Sequence, residues 1–170
     1  MKNVVLSKIK NLTLFISRNL NLLLYIIIGM CVILKGPFFH PDSFAFLEVS
    51  LNRSPLYVLF LKLFTTLFGD NYIWPLIAAQ FLATVFAIHY LLKTITKQFR
   101  LHIIEKLVLQ FILLSPSIYF NYTSGSVLSE AISYPLVILV FALGFKAFAA
   151  LHIRPLLKSA IPLYFLILTR

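Results

Sequence analysis

The stretch YIWPLIAAQFLATVFAIHYLL, residues 72–92, decides the fold class, because it is long, apolar and free of formal charge when His89 is neutral. A helix needs roughly 20 predominantly apolar residues to cross the hydrocarbon core of a bilayer. The stretch therefore predicts a membrane-spanning helix.

The composition of the whole chain agrees with this interpretation. Of its 170 residues, 61% are hydrophobic and only 12% are charged, and the mean hydropathy is +0.95. Soluble domains are about a quarter charged. The net charge of +10 raises the alternative of a nucleic-acid partner, but the basic residues lie between apolar segments and not on one polar domain. The composition thus predicts an integral membrane protein in contact with lipids, and no nucleic-acid partner.

Other segments resemble the first one in length and hydropathy. Together they predict an all-α, polytopic membrane protein of about five transmembrane helices, with residues 1–170 forming a single transmembrane module. A kink is expected at Pro135. A cleaved signal peptide is the alternative at the amino terminus, but no small-x-small cleavage site closes the first apolar run. The additional spans lie at about 19–38, 105–122, 127–151 and 157–170.

The segment SPLYVLFLKLFTTLFG, residues 54–69, differs from the others because it is short and has Lys62 at its centre. At helical spacing, its polar residues follow one stripe and its Leu, Phe and Val residues occupy the rest. This pattern predicts a helix that lies in the membrane interface, within the first outer loop. A short tilted span is the alternative, and it would invert the topology of everything downstream.

The distribution of basic residues orients the module. With the amino terminus in the cytoplasm, eleven of the fifteen lysines and arginines lie on the inner side, as the positive-inside rule requires. If 54–69 crossed the membrane, the basic loop 93–106 would face outward. We therefore expect a protein of the plasma or inner membrane with a cytoplasmic amino terminus.

This topology places four of the five carboxylates on the extracytoplasmic side: Asp42, Glu48, Asp70 and Glu130. Asp42 is either a helix cap or a general base at the membrane surface. Glu48 follows six positions later, about 120° around a helix, so the two do not form a local pair. Glu130, at the start of a span, is the best partner candidate, although a carboxylate there also complements the helix dipole.

Arg53 has two interpretations of its own. Its planar guanidinium can bind a phosphate, or it can contact a lipid headgroup or form a surface ion pair. The sequence has no glycine-rich phosphate loop, no nucleophile elbow, and no histidines at zinc-ligand spacing. A cytosolic nucleotide-binding enzyme is therefore disfavoured, and a substrate presented at the outer membrane face is expected.

The order of several short motifs resembles the amino-terminal half of the membrane module of GT-C type glycosyltransferases, which use polyprenyl-phosphate sugars. Protein O-mannosyltransferases and aminoarabinose transferases belong to this class. An aspartate in the first loop is followed by an Arg-x-Pro-x-Tyr segment, and later by a Ser-Pro and a Ser-Glu pair. The motifs are PDSFAFLEVS (41–50), NRSPLYVLFLKLFTTLFGDN (52–71) and LLSPSIYFNYTSGSVLSEAISYPLVIL (113–139).

The resemblance implies inverting transfer of a sugar from a polyprenyl-phosphate-linked donor at the extracytoplasmic face. Asp42 would be the catalytic base, and Glu130 would match the acidic position at the start of the fourth span. Arg53, with Tyr57 and Glu48, would bind the substrate. No residue is assigned to a metal, and a divalent cation is the one cofactor that remains open.

One departure from the family limits what the resemblance implies. Family members have many more spans than this chain. We therefore expect the chain to act with a second membrane subunit or a missing carboxy-terminal half, and to be inactive alone. The alternative is a non-enzymatic polytopic membrane protein, either a transporter fragment or an assembly subunit.

Overall fold

The computed structural model describes residues 2–39, 43, 54–119, 124–151 and 153–169, with side chains from residue 19 onward except that of Ala150. These residues form helices and one isolated β-bridge, so the predicted all-α class is confirmed for them. The helices are α1 (Lys2–Lys35), α2 (Pro55–Phe68), α3 (Ile73–Phe99), α4 (Ile103–Leu114), α5 (Pro116–Tyr119), α6 (Glu130–Ala150) and α7 (Ile153–Leu168), with a 3-10 turn at Gly69–Asn71.

The long helices run alternately up and down through a bundle. Helices α1 and α4 are parallel. The Gln110 amide of α4 donates to the Asn21 carbonyl of α1, and farther along both segments Lys35, at the end of α1, donates to the Ile118 carbonyl of α5, which directly follows α4. Helices α6 and α7 are antiparallel, since Ser133 near the start of α6 bonds Thr169 just after α7. Helix α3 packs most extensively against α6.

We call the end of the bundle where α3 and α6 begin the upper end, and the end where they finish the lower end. The upper end includes Phe38, Ser43 and residues 124–130, whereas the lower end includes 93–106 and 146–154. Helix α2 packs at the upper end through the buried side chains of Tyr57 and Leu61.

Two apolar clusters fill the bundle. The larger one joins α1, α3, α4 and α6 through Ile28, Ile88, Leu114 and Ile138, all of them buried. The smaller one lies under α2 at the upper end, where Leu76 and Val127 are fully buried. This second cluster fixes α2 to the start of α3 and to the turn that precedes α6.

Two described helices are long and apolar enough to cross a bilayer, namely Ile73–Phe99 and Glu130–Ala149. The apolar part of α1, Asn19–Lys35, is shorter. A helix rises 1.5 Å per residue, so the 12 residues of α4 extend about 18 Å, less than a hydrocarbon core of about 30 Å. The predicted number of five spans stays a prediction.

The segment predicted as one span at 105–122 is instead broken between α4 and α5. Pro116 has no N–H to donate to the Ile112 carbonyl. The Ser115 side chain replaces that donor, because its Oγ lies 2.7 Å from the Ile112 carbonyl oxygen. Pro135 behaves differently, since α6 continues as helix on both sides of it.

The helix predicted at 54–69 is present, with almost the predicted bounds. Pro55 begins α2 at the first helical position, where its missing N–H costs nothing. Gly69 ends the helix with a φ of +55°, a conformation that glycine adopts without steric cost. The outward side of α2 carries a row of exposed leucines one turn apart, Leu59, Leu63 and Leu67.

Candidate functional site

The predicted site residues divide into two groups. Asp42, Glu48 and Arg53 lie outside the described residues, and their predicted roles stay predictions. Tyr57 and Glu130 are described, and both lie at the upper end of the bundle. The site is therefore built here from these two residues and from the side chains around them.

Phe38 and Ser43, in the segment that follows α1, both contact the turn before α6. Phe38 forms a parallel β-bridge with Ser126, in which the Phe38 N–H donates to the Gly125 carbonyl at 2.9 Å and the Val127 N–H donates to the Phe38 carbonyl at 3.2 Å. The Ser43 hydroxyl donates to the Val127 carbonyl oxygen at 2.8 Å. Ser43 and Val127 are 84 positions apart in the sequence. Their contact lies three residues before Glu130.

A buried polar cluster lies directly beneath this join. It contains one amide, one phenol and several hydroxyls, and its central residue is Gln80, which is only 1% exposed. The Gln80 amide orientation that satisfies all its partners accepts from the Tyr57 hydroxyl at 3.1 Å. In that orientation it donates to the carbonyls of Ser124 at 2.9 Å and Ser126 at 3.3 Å. A single side chain of α3 therefore connects α2 to the turn before α6.

A chain of hydroxyls extends the cluster toward the break between α4 and α5. The Oγ of Ser124 lies 3.3 Å from Thr84 Oγ1 and 3.3 Å from Ser117 Oγ. Thr84 also donates to the Gln80 backbone carbonyl at 3.0 Å. Because buried polar groups are costly unless they are paired, this network fixes the turn to α3 and to α5.

Tyr57 is fully buried within this cluster. Burial raises the pKa of Tyr57 well above its usual range, and the negative charge of Glu130 adds to that shift. The phenol is therefore neutral at physiological pH and cannot act as a base. Its geometry is that of a residue that positions α2, and its predicted contact with a substrate stays a prediction.

Glu130 is exposed at the first position of α6, above the buried cluster. The neighbouring Ser129 hydroxyl donates to Glu130 Oε2 at 3.3 Å. A carboxylate at a helix amino terminus interacts favourably with the helix dipole. Its exposure leaves room for a ligand, so Glu130 can contact a group that approaches the upper end.

Most of the residues that organise this end were not predicted from the sequence. Gln80 and Thr84 lie one turn apart in the apolar segment 72–92, and polar residues within a span usually face the interior of a bundle. The one-turn spacing of these two polar residues was therefore the sequence feature that could have predicted the buried polar cluster. The serines at 124 and 126 gave no comparable signal, because serine and glycine are also common in ordinary turns.

The described residues do not fit a metal site. Within the ranges that the structure describes, no group of three or more His, Cys, Asp or Glu side chains is placed to hold an ion. The divalent cation that the sequence left open has no described ligands, and no chemical step is derived through it.

An apolar groove also opens between α1 and α3, with a cavity volume of about 670 Å³. Trp74 lies at its upper end, and Gly29 faces the Phe81 ring within it. A side chain at residue 29 would clash with that ring, because a Cβ there would lie 2.9 Å from Phe81 Cε1. The glycine thus permits the close approach of the two helices inside the groove.

Comparisons with protein-family models, with curated proteins and with solved structures found no match for this chain.

Proposed function

We propose that this protein is the membrane-embedded module of a glycosyltransferase, which transfers a sugar from a polyprenyl-phosphate donor at the extracytoplasmic face. It would act together with a second membrane subunit or a carboxy-terminal half. The proposal has three parts: insertion in the membrane, the position of the site, and the chemistry.

Membrane insertion is supported by the outward-facing side chains. Large apolar residues are exposed along the helices, among them Leu82, Phe86 and Phe141, each more than 60% exposed. Water-exposed apolar surface of this extent is unusual in soluble monomers. The exposed leucine row of α2 would contact lipid while Lys62 faces the headgroups, as in an interfacial helix.

The charges support the proposed orientation. The lower end carries seven basic residues whose side chains the structure describes. Glu105 is the described carboxylate near them, and its Oε2 accepts from the His102 N–H at 2.8 Å. Glu130 and Asp70 lie at the upper end. A lower end in the cytoplasm agrees with the positive-inside rule. The basic residues are Lys93, Lys97, Arg100, Lys106, Lys146, Arg154 and Lys158.

The single observation that carries the proposed site is the hydrogen bond from Ser43 to Val127. The sequence predicted that Asp42 needs a partner from elsewhere in the chain. Ser43 is its neighbour in sequence, and Val127 lies three residues before Glu130. The bond places Ser43 at the same end of the bundle as Glu130, which supports the proposal that Asp42 and Glu130 act in one site.

The proposed reaction is a single displacement at the anomeric carbon. The Asp42 carboxylate takes the proton of an acceptor hydroxyl, and the oxygen attacks the sugar. The bond from the anomeric carbon to the phosphate oxygen breaks, and its electron pair leaves with the polyprenyl phosphate. Arg53 would neutralise the phosphate, and Glu130 would accept a hydrogen bond from a sugar or acceptor hydroxyl.

The lipid tail of the donor has a candidate place in the groove between α1 and α3. An isoprenoid chain is wholly apolar, and the groove is lined almost entirely by apolar side chains. The groove begins near Trp74, at the end of the bundle where the site is proposed. The bilayer would then deliver the donor laterally to Asp42 and Glu130.

The test of the chemistry is an Asp42→Asn variant, assayed in membranes of cells that produce the chain in its native genetic context. A radiolabelled polyprenyl-phosphate sugar is supplied, and loss of label from the lipid fraction is measured. A general base contributes typically 10²–10⁴-fold, so we expect a rate reduced by about that factor. Asp70→Asn is the matched control, since Asp70 is exposed in the 3-10 turn and should retain the parent rate. Equal rates for parent and Asp42→Asn would exclude the proposed base.

A second candidate function is supported by the break between α4 and α5. Transporter sites commonly lie where helices are discontinuous, and Ser117 of α5 belongs to the buried polar cluster. Single cysteines at Ser117 and Ser124, in a Cys31→Ser background, would distinguish the two functions. Labelling from both sides of the membrane favours transport, whereas labelling from the outer side alone favours the transferase.

A further inference from the structure

A second cavity lies at the lower end, between the final turns of α3 and the last turns of α6. Its volume is about 440 Å³, within the range of small-ligand sites. It is far from the upper end and shares no residue with the candidate site. The lining residues are Tyr90, Lys93, Thr94, Lys97, Gln98, Lys146 and Ala149.

The cavity concentrates positive charge. Lys93 and Lys97 lie one turn apart on α3, and Lys146 approaches from α6. None of the lining residues that the structure describes is acidic. Like charges one turn apart on a helix repel each other, so an anion in this cavity would relieve the repulsion among the three ammonium groups.

Neighbouring side chains hold these donors in place. The Lys146 Nζ lies 5.8 Å from the centroid of the Tyr90 ring, a cation–π distance. The Thr94 hydroxyl already donates to the Tyr90 carbonyl at 2.9 Å. The polar groups that remain for a ligand are the three ammonium groups, the Gln98 amide and the Tyr90 hydroxyl.

The depth of the cavity matches a lipid headgroup. Trp74 and Lys93 are separated by 19 positions of continuous helix, or about 28 Å at 1.5 Å per residue. A hydrocarbon core is about 30 Å thick. If Trp74 marks the outer interface, the lysines lie at the level of the phosphates of the inner leaflet.

Apolar surface next to the cavity favours a lipid over a free anion. Phe148 is 82% exposed and Leu151 is 90% exposed, and the edge-to-face pair of Phe99 and Phe145 lies beside them. The acyl chains of a lipid would cover these side chains. Inorganic phosphate would leave them bare.

We propose that this cavity binds the phosphate group of an anionic glycerophospholipid of the inner leaflet. Lys93, Lys97 and Lys146 bind the phosphate oxygens, and Gln98 binds the polar part of the headgroup. The proposal depends on membrane insertion of the chain but not on sugar transfer, so lipid binding and transfer activity fail separately.

The experiment uses the full chain in phosphatidylcholine nanodiscs with and without phosphatidylglycerol, and native mass spectrometry measures the retained lipid. In the test variant, Lys93, Lys97 and Lys146 are all replaced by Gln. In the control, Arg100, Arg154 and Lys158 are replaced by Gln, which removes equal charge from the same end. Each lysine near an anionic lipid contributes about 1 kcal/mol of binding free energy. Loss of all three should therefore make phosphatidylglycerol binding about a hundredfold weaker in the test variant. The control should stay near the parent.

Each other outcome overturns the proposal. Equal losses in both triple variants would mean diffuse attraction and no site. Competition by inorganic phosphate at the same concentration as the lipid would assign the cavity to a free anion. A chain that does not stay with the nanodiscs would remove the membrane premise. If the triple variant does not fold, Lys146→Gln compared with Lys146→Arg gives the same test, because only Arg should keep the lipid.

Discussion

At the upper end of the bundle, neutral polar side chains are buried and paired around Gln80, whereas at the lower end the lysines are exposed around an open cavity. The upper cluster connects four segments of the chain through buried side chains. The described residues that line the lower cavity belong to two helices, α3 and α6. The difference indicates that the upper end depends on hydrogen bonds for its structure, while the lower end has cations available for an external partner.

The largest expected effect is at the centre of the upper cluster. Gln80→Leu should lower the free energy of unfolding by about 2–3 kcal/mol, because it leaves the Tyr57 hydroxyl and two buried carbonyls without their partner. The melting temperature in detergent, measured by circular dichroism, checks this. Gln98→Leu is the matched control at the lower end, where Gln98 is exposed and little change is expected. Similar losses for both variants would remove the contrast between the two ends.

The second effect concerns the phenol of Tyr57. Tyr57→Phe keeps the ring and removes one hydrogen bond, so we expect a loss of about 1 kcal/mol at neutral pH. An unfolded tyrosine ionises with a pKa near 10, and burial raises the pKa of Tyr57 above that value. Stability is therefore fully present below pH 10 and falls as the pH rises above it, since ionisation then favours the unfolded chain.

The measurement is melting temperature as a function of pH. The Tyr57→Phe variant should show a shallower decline above pH 10 than the parent. Tyr119, which is 71% exposed, supplies the control: Tyr119→Phe should leave the decline unchanged. Parallel curves for parent and Tyr57→Phe would contradict the assigned burial.

A third effect tests the carboxylate of the lower end. Glu105→Ala should destabilise the chain by about 1 kcal/mol, because the His102 N–H loses its acceptor at the start of α4. Glu105→Gln retains an acceptor and should cost less. Thermal unfolding in detergent separates the two variants. An equal effect of Ala and Gln would mean that the charge of Glu105, and not its hydrogen bond, is what matters.

The smallest effect is a gain in stability at the end of α3. Arg100 has a φ of +52°, the left-handed conformation that costs a non-glycine residue about 1–2 kcal/mol. Glycine avoids that cost but loses about 0.5–1 kcal/mol in chain entropy. Arg100→Gly should therefore raise stability by about 0.5 kcal/mol in the same unfolding experiment. Arg100→Ala, which removes the charge and keeps the strain, should show no gain.

The sequence predicted the helices more closely than the site. The segments 54–69 and 72–92 correspond to α2 and α3, because apolar periodicity and a terminal glycine are local signals. The sequence predicted one span at 105–122, because its residues are as apolar as those of a continuous span, although the Ser-Pro-Ser at 115–117 allows a broken helix there. Whether a proline interrupts a helix depends on which side chains replace the missing donor, and here Ser115 does so.

The site was predicted only in part, for a physical reason. Tyr57 and Glu130 were chosen as separate residues, and their common position at the upper end depends on contacts between distant segments. Gln80 connects these segments, and no pattern of spacing reveals which backbone carbonyls an amide will meet. Long-range pairing of this kind is set by the packing of α2 against α3.

The bridge between Phe38 and Ser126 has an evolutionary consequence. Both of its hydrogen bonds join main-chain atoms, so the aromatic ring at position 38, which is 39% exposed, can be exchanged for many others without opening it. Only proline at 38 or 127 would delete a donor. Position 38 can therefore be substituted while Phe38's main chain stays joined to the turn before α6.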